Sequence, residues 1–274
     1  MHDLHIHSCY SDGSNTLEEI FQLANELQLT TLSITDHDTF IHYSSAKKLS
    51  LKYNIQCLPA LELSCWDEVE MRKVHLLGYF VPENHPQILN LITPLQLQRE
   101  EVALSILKKL QKIGYPVSFD AVLSKSCGSI YKQHVMHALI DAEYTDSIFG
   151  ELFHQLFSNK DGQCYFPLKY LPVEKTIHAI LAAGGLPVIA HPAAYKNISA
   201  IPRLVKAGLL GIEVYHSRHN KNDISICQQL ATFYNLIVTG GTDFHGYYSR
   251  FPEINIGDIG VNAEELHILL QKAN

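Results

Sequence analysis

The sequence predicts an α/β fold of the barrel type, and three observations predict it. Short apolar or β-branched runs alternate with helical stretches, which is the pattern of β-α units rather than of a sandwich or a bundle. These runs repeatedly end on a histidine or a carboxylate, as strands do where a barrel gathers its chemistry on one face. A chain of 274 residues also has the ordinary length of one such barrel, with room for an insertion.

The first run, Asp3-Leu4-His5-Ile6-His7, sets two histidines two apart, and on a strand that spacing points both imidazoles to one face. An Asp12-Gly13 turn follows. Thr16 with Glu19 then reads as a capping box, and Leu17, Ile20, Phe21, Ala24 and Leu27 recur at helical spacing. Strands are expected over 31–35, ending at Asp36-His37-Asp38, and over 55–61, ending at Glu62. Three more are expected over 186–190 before His191, over 211–215 before His216, and over 236–239 leading to Asp243 and His245. Helices are expected over 173–183, 198–207 and 223–234.

Residues 82–167 break this rhythm, with helical patterns over 88–113, 133–142 and 147–157 and few strand-like runs. The expected organisation is a barrel of 1–81 and 168–274 carrying 82–167 as a small helical cap. At the ligand-bearing end, such a cap would cover the site and help choose the substrate.

Composition excludes several classes. With 46% hydrophobic and 18% charged residues the chain is globular, and its net charge of -7 argues against a broad basic nucleic-acid surface. No apolar run is long enough to span a bilayer, and an apolar strand begins almost at once, so no membrane association, a cytoplasmic location and no obligate protein partner are expected. Cys9, Cys57, Cys65, Cys127, Cys164 and Cys227 contain no Cys-x-x-Cys pair, so free thiols are expected rather than a thiolate metal site or a disulfide framework.

Position, not number, singles out some of the 16 histidines. His5, His7, His37, His191 and His245 fall at strand ends with Asp12, Glu62 and Asp243, and His75 lies within Val74-His75-Leu76-Leu77. Any one could merely cap a strand; together they converge in a barrel. Imidazole with carboxylate and no thiolate suits Zn²⁺, Mn²⁺ or Fe²⁺, and so many ligands exceed what one tetrahedral ion uses, implying two or three metals. His2, His42, His85, His154, His178 and His267 read as ordinary surface or packing residues.

The segments Asp3-Leu4-His5-Ile6-His7-Ser8 with Ser11-Asp12-Gly13, Ile34-Thr35-Asp36-His37-Asp38-Thr39, Leu61-Glu62-Leu63-Ser64, Ala190-His191-Pro192 and Gly241-Thr242-Asp243-Phe244-His245-Gly246 resemble, in order, the polymerase and histidinol phosphatase (PHP) superfamily. Glu62-Leu63-Ser64 and Glu213 to His216 resemble most its stand-alone phosphoesterases, which include 3',5'-nucleoside bisphosphate phosphatases and 5'-3' exoribonucleases. The resemblance implies a distorted (β/α)7 TIM-like barrel with three divalent ions, Mn²⁺, Fe²⁺ or Zn²⁺, or Mg²⁺. It implies a first ion held by His5, His7, Glu62 and Asp243, a second sharing Glu62 and adding His75 and His191, and a third on Asp12, His37 and His245. The metals lower the pKa of water and neutralise the phosphate oxygens, and a hydroxide between the first two is the expected nucleophile.

Lys132-Gln133-His134 aligns with a segment that in these relatives usually reads Arg-Pro-His and contacts phosphate. Lys132 keeps the charge without the bidentate geometry. Lys132 and His134 are candidates for substrate contact, against a plain exposed helix start. His216 is a candidate for binding phosphate or protonating the leaving group, against a purely supporting role, with Arg218 beside it as a phosphate contact. Asp36 and Asp38 are expected to hold the His37 loop by hydrogen bonds.

The expected activity is hydrolysis of a phosphate monoester of a nucleotide or small metabolite, such as a 3',5'-nucleoside bisphosphate giving nucleoside 5'-monophosphate and phosphate. The alternatives are a 5'-3' exonuclease on short RNA or DNA, a non-catalytic metal-binding module in a replication complex, and C–N bond hydrolysis of the amidohydrolase kind. The filled ligand set disfavours the third reading of the site as non-catalytic, and Glu62 in place of a carboxylated lysine disfavours the last.

Overall fold

Two sheets carry the strands in the computed structural model, which describes residues 2–250 and 253–273. Strands β1 (Asp3–Ile6), β2 (Thr31–Ile34) and β3 (Gln56–Cys57) form a parallel sheet in that order. Strands β4 (Ala60–Asp67), β5 (Arg72–Tyr79), β6 (Leu171–Pro172), β7 (Leu186–Ile189), β8 (Gly211–His216) and β9 (Ile237–Gly241) form a mixed sheet in the order β6-β4-β5-β7-β8-β9. The two sheets are linked by single bridges, Ile6 with Phe244 and His37 with Glu62, and not by one continuous ladder.

The helices are α1 (Leu17–Glu26), α2 (Tyr43–Tyr53), α3 (Pro86–Lys112), α4 (Phe119–Leu123), α5 (Lys132–Asp141), α6 (Glu151–Phe157), α7 (Val173–Ala182), α8 (Ile201–Lys206), α9 (Lys221–Tyr234) and α10 (Ala263–Lys272). The Thr16–Glu19 capping box starts α1, and Leu17, Ile20, Phe21 and Ala24 bury its apolar stripe, each large side chain contributing about 1.5–3 kcal/mol. Leu27, expected on that stripe, is instead the C-cap residue and half exposed.

The expected strand over 55–61 divides in two. Pro59 has no N–H to give a ladder, and the chain leaves the first sheet at Cys57 and enters the second at Ala60. Glu62 therefore stands inside β4, which forms an antiparallel hairpin with β5, rather than at a strand end. His75 lies inside β5, a strand the expected order lacks. Helix α2 was not expected either, because only Tyr43 and Ala46 of its residues are buried and its apolar periodicity is weak.

Helix α3 joins two cores. Its first half gives Ile88, Ile92 and Leu95 to the core beneath β4, β5 and β7. Its second half gives Ile106, Leu107 and Leu110 to a separate cluster with Val135, Met136 and Leu139 of α5 and Leu152, Leu156 and Phe157 of α6. One cysteine expectation is overturned: Cys9 and Cys127 form a disulfide, with Cα atoms 5.1 Å apart across a sequence separation of 118. Spacing patterns carry no trace of so distant a pairing. Cys57, Cys65, Cys164 and Cys227 are free thiols, as expected.

Candidate active site

Strand β1 is buried on both faces: Leu4 and Ile6 enter apolar clusters, while His5 and His7 share the opposite face. The segment after β9 closes against it. A Cβ on Gly241 would lie 2.5 Å from the His5 Cβ, so only glycine permits this approach. The Asp243 N–H then donates to the His5 carbonyl at 2.9 Å, and the His7 N–H to the Phe244 carbonyl at 2.9 Å. Asp3 accepts from the Thr242 hydroxyl at 2.7 Å and the Gly257 N–H at 3.0 Å, which fixes the same turn. Burial raises the Asp3 carboxyl to about 6 against those hydrogen bonds. Asp38, His191 and Asp243, beside the site, hold positive φ of 53°, 29° and 56°.

Glu62 is the hub. Its Oε2 stands 3.2 Å from His5 Nε2, 3.1 Å from His7 Nε2 and 3.3 Å from His37 Nδ1. Its Oε1 stands 2.8 Å from His75 Nδ1 and 3.0 Å from His191 Nε2. The hairpin register explains the His75 contact: Ser64 faces His75 and Glu62 faces Leu77, so Glu62 and His75 are diagonal neighbours on one face. Asp243 Oδ1 lies 3.4 Å from His5 Nε2 and 3.2 Å from His7 Nε2, completing a group of four.

Asp12 Oδ1 lies 3.3 Å from His245 Nε2, 3.6 Å from His7 Nδ1 and 3.9 Å from His37 Nε2. All nine residues singled out as metal ligands in the sequence thus converge, but their groups overlap. His7 joins Asp12 and His245, and His37 joins Glu62 and His75. His216 joins them too, with Nε2 3.3 Å from Asp243 Oδ2 and Nδ1 accepting from the Arg218 N–H at 3.0 Å.

The electrostatics call for cations. Against the desolvation of burial, Glu213, Glu62 and Asp243 hold the His5 imidazole well above its usual range. Against the same penalty, Asp243, Glu62 and Asp12 bring His7 up to about 10. Burial would raise the carboxyls of Asp12, Glu62 and Asp243, yet the surrounding imidazoles hold all three well below the usual range. Burial lowers His37 to about 4. Asp12 Oδ1 and His37 Nδ1 are buried and, although His245 Nε2 and Glu62 Oε2 stand 3.3 Å away, neither makes an aligned hydrogen bond; His191 Nδ1 is buried without one as well. Convergent lone pairs, orphaned buried ligand atoms and protons held by clustered carboxylates are what a site for divalent cations presents when protons take their place. The residues fit such ions.

Around the cluster stand supporting residues, of which Asp36 and Asp38 were expected and Glu213, Arg99, Gln133 and Tyr131 were not. Glu213, fully buried in β8, accepts from His5 Nδ1 at 2.9 Å through Oε1 and from the His191 N–H at 2.7 Å through Oε2. Its signals in the sequence were its place at the head of the Glu213 to His216 segment and an acid within an apolar strand, neither of which names its partners. Asp36, as expected, holds its loop, accepting from the Ser8 N–H at 2.7 Å and from the Ser8 and Ser11 hydroxyls at 2.6 Å each. Asp38 accepts from the Ser64 N–H at 2.8 Å and from buried Arg99 of α3 at 2.6 Å. Gln133 of α5 donates to Asp12 Oδ2 at 3.1 Å, and the Tyr131 hydroxyl donates to the His37 carbonyl at 3.3 Å.

Two cavities of about 220 and 270 Å³ adjoin the cluster, and both are lined by Asp12, His37, His75, Lys132, Gln133 and Tyr195. Arg218 lines the larger one. His134 lines neither: it is buried, its Nδ1 accepts from the Tyr131 N–H at 3.0 Å, and its ring meets Tyr248 edge-on. The α5 start is thus a capping arrangement at His134 and a cavity wall at Lys132 and Gln133.

The PHP domain pattern matches residues 3–165. A phosphoribosyl 1,2-cyclic phosphate 1,2-diphosphodiesterase of Eggerthella lenta is 35% identical over 92% of this chain and 97% of its own. A 5'-3' exoribonuclease of Escherichia coli is 29% identical over 89% and 85%. A 3',5'-nucleoside bisphosphate phosphatase of Chromobacterium violaceum is 28% identical over 89% and 86%. A solved structure from Bifidobacterium adolescentis shares the fold with a TM-score of 0.89 at 24% identity, over 98% of this chain and 95% of that one. Among the described residues, no helix is long and apolar enough to cross a membrane.

Proposed function

Because this chain belongs to the PHP domain family, we propose that it is a metal-dependent phosphoesterase, a hydrolase that cuts a phosphate ester of a small ribose-containing metabolite or nucleotide. The observation that carries this reading is the convergence of five imidazoles on the two oxygens of Glu62, with Asp12 and Asp243 at its flanks. Three ions are assigned to it. His5, His7, Glu62 and Asp243 hold the first; Glu62, His75 and His191 hold the second; and Asp12, His37 and His245 hold the third. Mn²⁺, Fe²⁺ and Zn²⁺ suit these ligands best, with Mg²⁺ less apt for so many nitrogens.

Divalent ions bound there supply an ionised water at neutral pH and neutralise the non-bridging phosphate oxygens. The chain's own groups do the rest. Glu213 orients His5, Asp36 and Asp38 hold the loop of His37, and the Arg218 N–H keeps His216 Nδ1 free of a proton so that its Nε2 faces Asp243; His216 is buried and lines neither cavity, so it supports Asp243 rather than meeting the substrate. Helices α3 to α6 act as a cap over a distorted (β/α)7 barrel, and Lys132, Gln133 and Arg218 meet the substrate at its edge.

The names of two relatives describe ribose phosphates that carry a second phosphoryl group besides the ester that is cut. Small capped cavities favour such a molecule over a polynucleotide. With the protein reconstituted with Mn²⁺, adenosine 3',5'-bisphosphate and a 5'-phosphorylated oligonucleotide are to be compared. Phosphate release from the former without stepwise mononucleotide release from the latter is expected. The reverse pattern replaces the phosphatase with an exonuclease.

A further inference from the structure

The larger cavity is lined both by residues of the metal-ligand cluster and by three cationic residues, Lys132, Arg218 and Arg250. Among the described residues none of the three has a carboxylate within ion-pair distance. Each leans on aromatic rings instead. The Arg250 guanidinium lies 4.3 Å from the Phe149 ring centroid and 5.6 Å from that of Phe153, Lys132 lies 5.3 Å from Phe157, and Arg218 lies 5.5 Å from Tyr195.

Rings attract a cation but do not neutralise it, and like charges gathered in partial burial repel. Burial, then Lys73 and Arg250, brings the Lys132 ammonium down to about 8, and burial with Arg218 lowers Arg250. Arg218 donates to the Ala194 carbonyl at 3.2 Å, but among the described residues no carboxylate pairs with any of the three heads, and an anion bound by them would relieve the repulsion. A guanidinium stacked by its face keeps its edge N–H groups available for bidentate contact with phosphate oxygens.

We infer that Arg250, together with Lys132 and Arg218, forms the receptor for a second phosphoryl group, and that Arg250 sets the preference for ribose phosphates bearing two phosphoryl groups over those bearing one. The reacting phosphate engages the ligand cluster; the second one engages these heads. The inference rests on the phosphoesterase reading for the identity of the first phosphate, not for the existence of the anion site.

The test compares wild type, Arg250→Ala and Arg250→Lys, all loaded with Mn²⁺. In Arg250→Ala, kcat/KM for adenosine 3',5'-bisphosphate is expected to fall at least tenfold further than for adenosine 3'-monophosphate, chiefly through KM. Arg250→Lys, which keeps the charge without the fork, falls between. Calorimetric binding of ribose 5-phosphate is expected to weaken at least tenfold in Arg250→Ala, a readout that needs no turnover. Equal losses on both nucleotides, or equal ribose 5-phosphate affinity in wild type and variant, overturns the receptor. Intact binding without phosphate release from any ester would overturn the phosphoesterase reading alone.

Discussion

Glu213→Gln separates the orientation of the metal ligands from their presence. The carboxylate accepts twice, from His5 Nδ1 at 2.9 Å and from the His191 backbone N–H at 2.7 Å, and it is fully buried. A glutamine of the same shape has one acceptor oxygen and one NH₂. With its oxygen toward His5, the NH₂ meets the His191 N–H and leaves a buried donor unpaired, at a cost of about 1–3 kcal/mol. With its oxygen toward His191, the NH₂ faces His5 Nδ1, which must then carry the lone pair. The proton moves to Nε2, the atom that stands 3.2 Å from Glu62 and 3.4 Å from Asp243, and His5 no longer offers a lone pair to a metal. Partners of this kind cost about 10–100-fold in metal affinity or activity when lost, about 1.4–2.7 kcal/mol, which agrees with the unpaired donor. Titration of chelated protein with Mn²⁺, followed by calorimetry and by phosphate release, reads the effect. Affinity and turnover both within twofold of wild type would refute the reasoning.

Three further outcomes follow from the same geometry. Lys132 is charged below about 8 and loses its charge as pH rises, so kcat/KM for a substrate with two phosphoryl groups falls along an alkaline limb near pH 8. In Lys132→Arg that limb moves upward; an unmoved limb would assign it elsewhere. Reduction of Cys9–Cys127, or Cys127→Ser, frees a loop closed across a sequence separation of 118 and lowers unfolding free energy by about 2–4 kcal/mol in denaturant titrations. An unchanged midpoint would show that the bridge constrains nothing. Arg99→Met leaves the Asp38 carboxylate buried beside His37 without its cation, which costs about 3–5 kcal/mol of stability. A loss under 1 kcal/mol in the same titrations would mean that Asp38 is served well enough by the Ser64 N–H.

The converging His, Asp and Glu cluster was legible because most of it is written into short segments at or beside strand ends. His5 and His7 need only a period of two, and Asp36-His37-Asp38 and Asp243 to His245 announce themselves by clustering after apolar runs. Glu62 was found but set at a strand end, and His75 was found within its apolar run without the strand being assigned, since a hairpin of this register looks from sequence like two unrelated apolar runs. Glu213, Arg99 and Gln133 act through contacts separated by 208, 61 and 121 residues, and no local pattern encodes such partners. The same holds for Cys9 with Cys127. His134 shows the converse: a residue picked from a motif serves its own helix start, while Gln133 beside it reaches the site.

Phosphate release from adenosine 3',5'-bisphosphate, measured while Mn²⁺ is added stepwise to chelated protein, tests the central claim most directly. No release is expected from the chelated protein, then a rise with each addition to a plateau near three equivalents, and no recovery in Glu62→Gln. Full activity in the chelated protein, or full recovery in Glu62→Gln, would contradict it.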